Sequence, residues 1–135
     1  MSILNNTFHD IQHGIVFEET PQEGSSGLLI AHNLFTEVTQ REASIEEAGD
    51  AALAAGWLTA TDAARNNWSD RAADEDEESS IDIFGDDGRQ GIEPVTYASR
   101  DPSADNFLKP TDPRIRNDVK TPTAGADPWV GAVAP

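Results

Sequence analysis

Apolar residues in the front of the chain come in short clusters, not in one long periodic run. Gly14-Ile15-Val16-Phe17 and Leu28-Leu29-Ile30 are separated by Pro21-Gln22-Glu23-Gly24-Ser25-Ser26-Gly27. Short apolar runs bounded by Gly, Pro and Ser predict two strands, as in a hairpin with a long connection. Leu34, Phe35 and Val38 suit either a continuation of the second strand or a helical turn, because spacings of three and four fit both.

Helical signals follow. Ser44 with Glu47 three residues later makes a capping box, and Glu46, Glu47 and Asp50 place negative charge at the positive end of a helix dipole. The alanine-rich body and Gly56 predict a helix near residues 45–55. Thr59 or Thr61 as N-cap predicts a second helix near 62–73, running through Ala63, Ala64 and Trp68. The pattern predicts an α+β knob over residues 1–73, with short strands and a helical hairpin.

Beyond Ala73 the pattern changes twice. Asp74 to Glu78 is a run of consecutive carboxylates, which reads as a solvated acidic linker over 74–93 with a short apolar island at 81–84, formed by Ile81, Ile83 and Phe84. From Pro94 onward lie seven of the chain's eight prolines, spaced so that no regular element extends far. Residues 94–135 therefore read as a long, extended, largely irregular arm. Tyr97, Phe107, Leu108, Ile115, Val119, Trp129 and Val130 are its intermittent apolar anchors, and they are the candidate partner-binding residues. A proline-rich segment of this kind takes a fixed course only against a surface, here expected on a neighbouring subunit.

Charge and composition narrow the class. The chain of 135 residues carries 25 acidic and 9 basic side chains, a formal net charge of −16. Residues 1–40 hold five acids and no base, 41–99 fifteen acids and four bases, and 100–135 five of each. Such a surface repels phosphate, so direct binding to nucleic acid or to an anionic membrane is disfavoured. Two lysines against seven arginines, with this many acids, is also a habit of proteins from a halophilic, high-salt setting. The absence of cysteine removes disulfides and thiol chemistry. No stretch approaches a membrane span, and the first residues lack the basic and apolar regions of a secretory signal peptide.

Candidate catalytic motifs are weak. His9-Asp10-Ile11-Gln12-His13 has the spacing of a zinc-hydrolase helix, but Asn5, Asn6 and Gly14 leave it without a helix long enough to hold both imidazoles on one face. Asp82, Asp86, Asp87 and Gly88 do not fall in the register of a calcium loop. His32 stands alone in an apolar stretch and is expected to pack or to bond a backbone group. Asn5 and Asn67 head Asn-x-Ser/Thr matches of the kind chance supplies. No phosphate loop or nucleophile elbow is present.

The expectation is a non-enzymatic structural or assembly protein without catalytic, cofactor or metal sites. By analogy of design it suits a small accessory subunit of a virus particle, a capsid decoration or head-tail connecting protein. Such a subunit would sit in the virion in multiple copies and hold other protein subunits through its arm. The alternative from the same composition is an acidic nucleic-acid mimic that inhibits a DNA-binding protein.

Overall fold

In the computed structural model, residues 1–18, 27–45, 66–73, 81–120 and 123–134 are described. Among these residues the strands are β1 (Ser2–Leu4), β2 (Thr7–Phe17), β3 (Leu29–Ala31), β4 (Leu34–Ile45) and β5 (Trp68–Ser69), followed by a helix, α1 (Arg114–Asn117). All strand pairing is parallel: β1 lies on β3, and β2, β4 and β5 follow in order. Ser2 faces Leu29 and Thr7 faces Leu34, so the second turn of chain repeats the first 27 residues later. A third level starts at Trp68, opposite Leu34, and a fourth at Arg89, which bridges Trp68 in the same direction. The chain thus climbs as stacked coils, a short parallel β-solenoid in which each coil contacts only its neighbours.

The coils bend at a repeated backbone corner. Asn5, His32 and Asn66 occupy equivalent positions with φ of 52°, 58° and 44°. Asparagine and histidine are among the few side-chain-bearing residues that enter this left-handed region readily. At the Asn5 and His32 corners the chain turns from one strand to the next within two residues, which is how β1 and β2, then β3 and β4, share a coil.

Two cores flank the sheet. Ile15, Leu28, Ile30, Phe35, Val38, Ala43, Ile45, Ile81, Ile83 and Phe84 fill the inside of the coils. Leu34 and Trp68 point to the opposite face and meet Val95, Ile115 and Val130. Neighbouring strand residues face opposite ways, so Leu34 and Phe35 serve different cores, and β4 is buried on both sides over much of its length.

The α+β expectation is corrected here. Among the described residues the regular structure is strand apart from the four residues of α1, and there is no helical hairpin. Ser44, read as a helix N-cap, lies within β4 opposite Val16, and the stretch 66–73 holds β5 in place of a second helix. Tertiary pairing overrides local capping signals and alanine propensity wherever a strand position is buried. The helical expectations over 46–65 and the acidic run 74–80 lie outside the described residues. The hairpin reading also fails, because β2 pairs with β4 in parallel.

Ile81, Ile83 and Phe84 are core residues, so this part of the linker belongs to the solenoid. The arm is not extended away from the body. It is laid back on the outer sheet face, where the surface that fixes it belongs to this chain. Irregular backbone is held there by the corners. Asn5 Nδ2 and His32 Nδ1 both donate to the Trp129 carbonyl, at 2.8 and 3.1 Å. Gly131 N donates to the His32 carbonyl at 2.7 Å, and Lys120 N to Asn66 Oδ1 at 3.3 Å.

Candidate functional site

An asparagine ladder runs up the stack beside the corners. Asn6, Asn33 and Asn67 follow Asn5, His32 and Asn66, and each side chain reaches one coil along. Asn33 Oδ1 accepts two hydrogens from above, from Asn6 N at 2.9 Å and Asn6 Nδ2 at 3.0 Å. Asn67 Oδ1 accepts the same pair from Asn33 N and Nδ2, both at 3.0 Å. Asn67 Nδ2 ends on the Ile30 and Ile83 carbonyls, at 2.8 and 2.6 Å. The next ladder position, opposite Asn67 in the fourth coil, is Gly88, which has no amide side chain. The Asn33 and Asn67 amides are therefore satisfied within the stack, as buried amides require.

The backbone repeats the same step. Leu34 N donates to the Asn6 carbonyl at 2.8 Å, Trp68 N to that of Asn33 at 2.9 Å, and Arg89 N to that of Asn67 at 2.9 Å. The equivalent position in the first coil is Thr7. Among the described residues no coil stands above Thr7 or above Asn6 Oδ1, so the first coil presents an unanswered donor and an unanswered acceptor side by side. Next to them Phe8 stacks on Phe35, centroids 4.8 Å apart and planes within 6°, with Phe35 in turn edge-on to Phe84 at 6.4 Å. Ile3, Phe8, Ile11 and Phe17 cover the inner core yet remain partly exposed.

The two ends of the stack differ. At the far end Gly88 closes a turn onto the Phe84 carbonyl at 2.8 Å, and a Cβ there would overlap the Phe84 backbone. Gly91 turns with φ of 61°, and Pro94 follows. Proline lacks the N–H needed to continue a ladder. Among the described residues the far end terminates while no coil covers the first.

A second polar cluster lies where the arm crosses the sheet. His9 Nδ1 and Tyr97 OH each lie 2.9 Å from Thr36 Oγ1, and the His9 and Tyr97 rings meet edge to face at 5.4 Å. Arg100 sits 5.9 Å from the Tyr97 ring and pairs with Glu37. Glu37 N donates to both carboxylate oxygens of Asp70, at 3.0 and 3.2 Å. Burial pushes the Tyr97 phenol and the Asp70 carboxyl upward. Each polar group here is tied to another across coils or to the arm, so the cluster acts as a staple.

A cavity of about 200 Å³ is lined by Glu42, Arg71, Ile81, Asp82 and Phe84, among others. Its buried Glu42 accepts from Ser69 Oγ at 2.6 Å and pairs with Arg71 at 3.6 Å. That carboxylate is engaged on both oxygens. His9 and His13 stand on strand β2, not on a helix. The described residues hold no cluster of three metal-ligating side chains.

Of the seven arm residues expected to grip a partner, Ile115 and Val130 are fully buried in the second core. Tyr97, Val119 and Trp129 pack partly buried against it. Phe107 and Leu108 are half-buried in the turns that bridge Ser99 and Tyr97. Sequence reasoning missed Asn6, Asn33 and Asn67. Their signal was the recurrence of Asn5-Asn6-Thr7-Phe8, His32-Asn33-Leu34-Phe35 and Asn66-Asn67-Trp68-Ser69.

The described residues form a short parallel β-solenoid in which no coil stands over the first and Gly88 and Pro94 end the ladder at the other side. Comparison with known proteins finds no matching family model, no matching curated protein and no matching solved structure.

Proposed function

We propose that this chain is a non-enzymatic assembly protein, a short β-solenoid that attaches to other protein subunits through its first coil. The observation that carries the reading is the inequality of the two ends: the ladder is closed at Gly88 and unanswered at Asn6 and Thr7. A solenoid end without a polar cap leaves strand edge and core exposed, which favours pairing with another polypeptide. Engagement of Glu42 and of the His9–Thr36–Tyr97 cluster within the fold supports a role without catalysis. A virus particle, in which many copies of small cysteine-free subunits lie against one another, is the setting this economy suits.

Site-specific photo-crosslinking in the native assembly tests the reading. Val16 and Val133 are similarly exposed, at 40% and 37%, the first on β2 and the second on the arm. A photoreactive residue at Val16 is expected to join to a strand-forming segment of a second polypeptide, while one at Val133 joins to none. Crosslinks from Val133 alone would return the contact to the arm and overturn the proposal.

A further inference from the structure

The first coil specifies what sits on it, because the same step has already been taken twice below. Asn6 answers the second coil with three groups: its carbonyl accepts from Leu34 N, and its N–H and Nδ2 donate to Asn33 Oδ1. Asn33 repeats all three toward Trp68 N and Asn67 Oδ1. Thr7 N–H and Asn6 Oδ1 present to the open side what Leu34 and Asn33 present to Asn6. One residue supplies the full answer, an asparagine carried on a strand running parallel to β2.

Two positions further along, Phe8 lies flat on Phe35 at 4.8 Å, the spacing of paired strands. Its outer face offers the same stack to a further ring. Resting on the assembly reading above, we infer that the partner surface of the first coil is a parallel β-coil presenting an asparagine over Asn6 and an aromatic ring over Phe8.

A second copy of this chain does not meet the requirement in either orientation. Stacked head to tail, it would bring Gly88 to the ladder position, with no amide to donate. Stacked head to head, it would bring Thr7 N–H to Asn6 Oδ1 on an antiparallel strand, but not the paired N–H and Nδ2 donation of each ladder step, because those Asn6 hydrogens are already given to its own Asn33 and Leu4. The partner is therefore a different surface, recognised by register: a slip of one residue removes the asparagine and turns every apolar side chain to the wrong face.

Duplicating the first coil within the chain tests this. Residues 1–27 added ahead of Met1 place an asparagine over Asn6 and a phenylalanine over Phe8, at the 27-residue spacing of the first two coils. The tandem chain is expected to melt at least about 4 °C higher and to unfold with a steeper denaturant dependence, since more surface is buried. Asn6→Ala made in the added copy alone leaves the resident chain intact and is expected to abolish most of the gain. A gain that survives that substitution would overturn the ladder inference and leave the assembly reading standing. No gain in the tandem chain would overturn the coil as occupant, whereas the assembly reading falls only with the Val16 crosslinks. Sedimentation of the unmodified chain as a dimer that Asn6→Ala dissociates would make a second copy the occupant, and would likewise overturn the inference.

Discussion

Removing the middle rung of the ladder gives a graded set of stability changes. In Asn33→Ala, Asn6 N–H loses its acceptor at 2.9 Å and the Ile3 carbonyl loses a donor at 2.9 Å. Asn67 Oδ1 keeps the backbone N–H of residue 33 at 3.0 Å and is not orphaned. A stranded buried polar group costs about 1–3 kcal/mol. Both groups lie at part-buried positions, which places each near the lower end, and the missing side chain adds a void. The expected loss is about 2–4 kcal/mol.

Asn6→Ala removes only the Nδ2 bonds to the Leu4 carbonyl and to Asn33 Oδ1, which still holds Asn6 N–H. Water reaches that end of the ladder, so the expected loss is about 0.5–1.5 kcal/mol. Asn67 is fully buried and donates to two carbonyls while accepting from two groups, so Asn67→Ala is the most damaging of the three. Denaturant titration read by tryptophan fluorescence, with the slope unchanged, measures the order. Asn6 and Asn33 share bonds, so their double variant is expected to lose less than the sum of the single losses. Equal losses at the three positions, or a costless Asn33→Ala, would refute the ladder as a stabilising element.

Variants at two further positions test the second core and its corner. His32 is fully buried, and burial holds its imidazole below the ordinary value, against smaller opposing effects from the Trp129 and Asp127 backbone groups and the Asp127 charge. The folded state then binds fewer protons than the unfolded state, so stability falls as pH drops below the ordinary histidine value and levels off below the lowered one. Its Nδ1 donates to a carbonyl, so neutral Nε2 is left to accept, beside Thr123 Oγ1 at 3.0 Å and Asn66 Nδ2 at 3.3 Å. His32→Asn, which suits the left-handed corner, is expected to remove that acid slope in denaturation measured from pH 7 to pH 5, and an unchanged slope would assign it elsewhere. Trp68 is buried with an indole N–H that has no hydrogen-bond partner, so Trp68→Phe is expected to cost no more than about 1 kcal/mol. Trp68→Ala costs about 3–5 kcal/mol by thermal denaturation.

Strands were legible near Ile15 to Phe17 and Leu28 to Ile30, because apolar clusters between turn residues signal burial whatever the partner. Their direction was not, since a short apolar run is the same read parallel or antiparallel. The tetrads beginning at Asn5, His32 and Asn66 recur at unequal spacings, 27 and then 34 residues, and a solenoid with coils of different length hides its period. Asn67 read as a chance glycosylation match, while in the fold it is the lowest rung of the ladder. Ser44 and Glu47 formed a sound local capping box. Pairing of Ser44 opposite Val16 outweighed it, a contact that no window of local sequence contains.

The balanced charge of the last third of the chain has its counterpart inside the molecule. Arg100 of the arm meets Glu37 of the second coil, Lys120 lies 3.6 Å from Asp87, and Asp118 lies 2.9 Å from Arg89, whose guanidinium covers the Trp68 ring at 4.5 Å. Each pair is partly exposed and contributes at most about 1 kcal/mol. Their effect is on placement: one acidic coil after another is matched to a cation or anion at the right height of the arm. The apolar anchors Val95, Ile115 and Val130 supply the burial, and the corners at Asn5, His32 and Asn66 fix the path by hydrogen bonds. An arm matched to its own body by burial, polar bonds and charge has few groups left with which to hold a neighbour. Among the described residues the first coil presents an apolar stack, an unanswered donor and acceptor and a strand edge on one face, and these are the grounds for proposing the contact there.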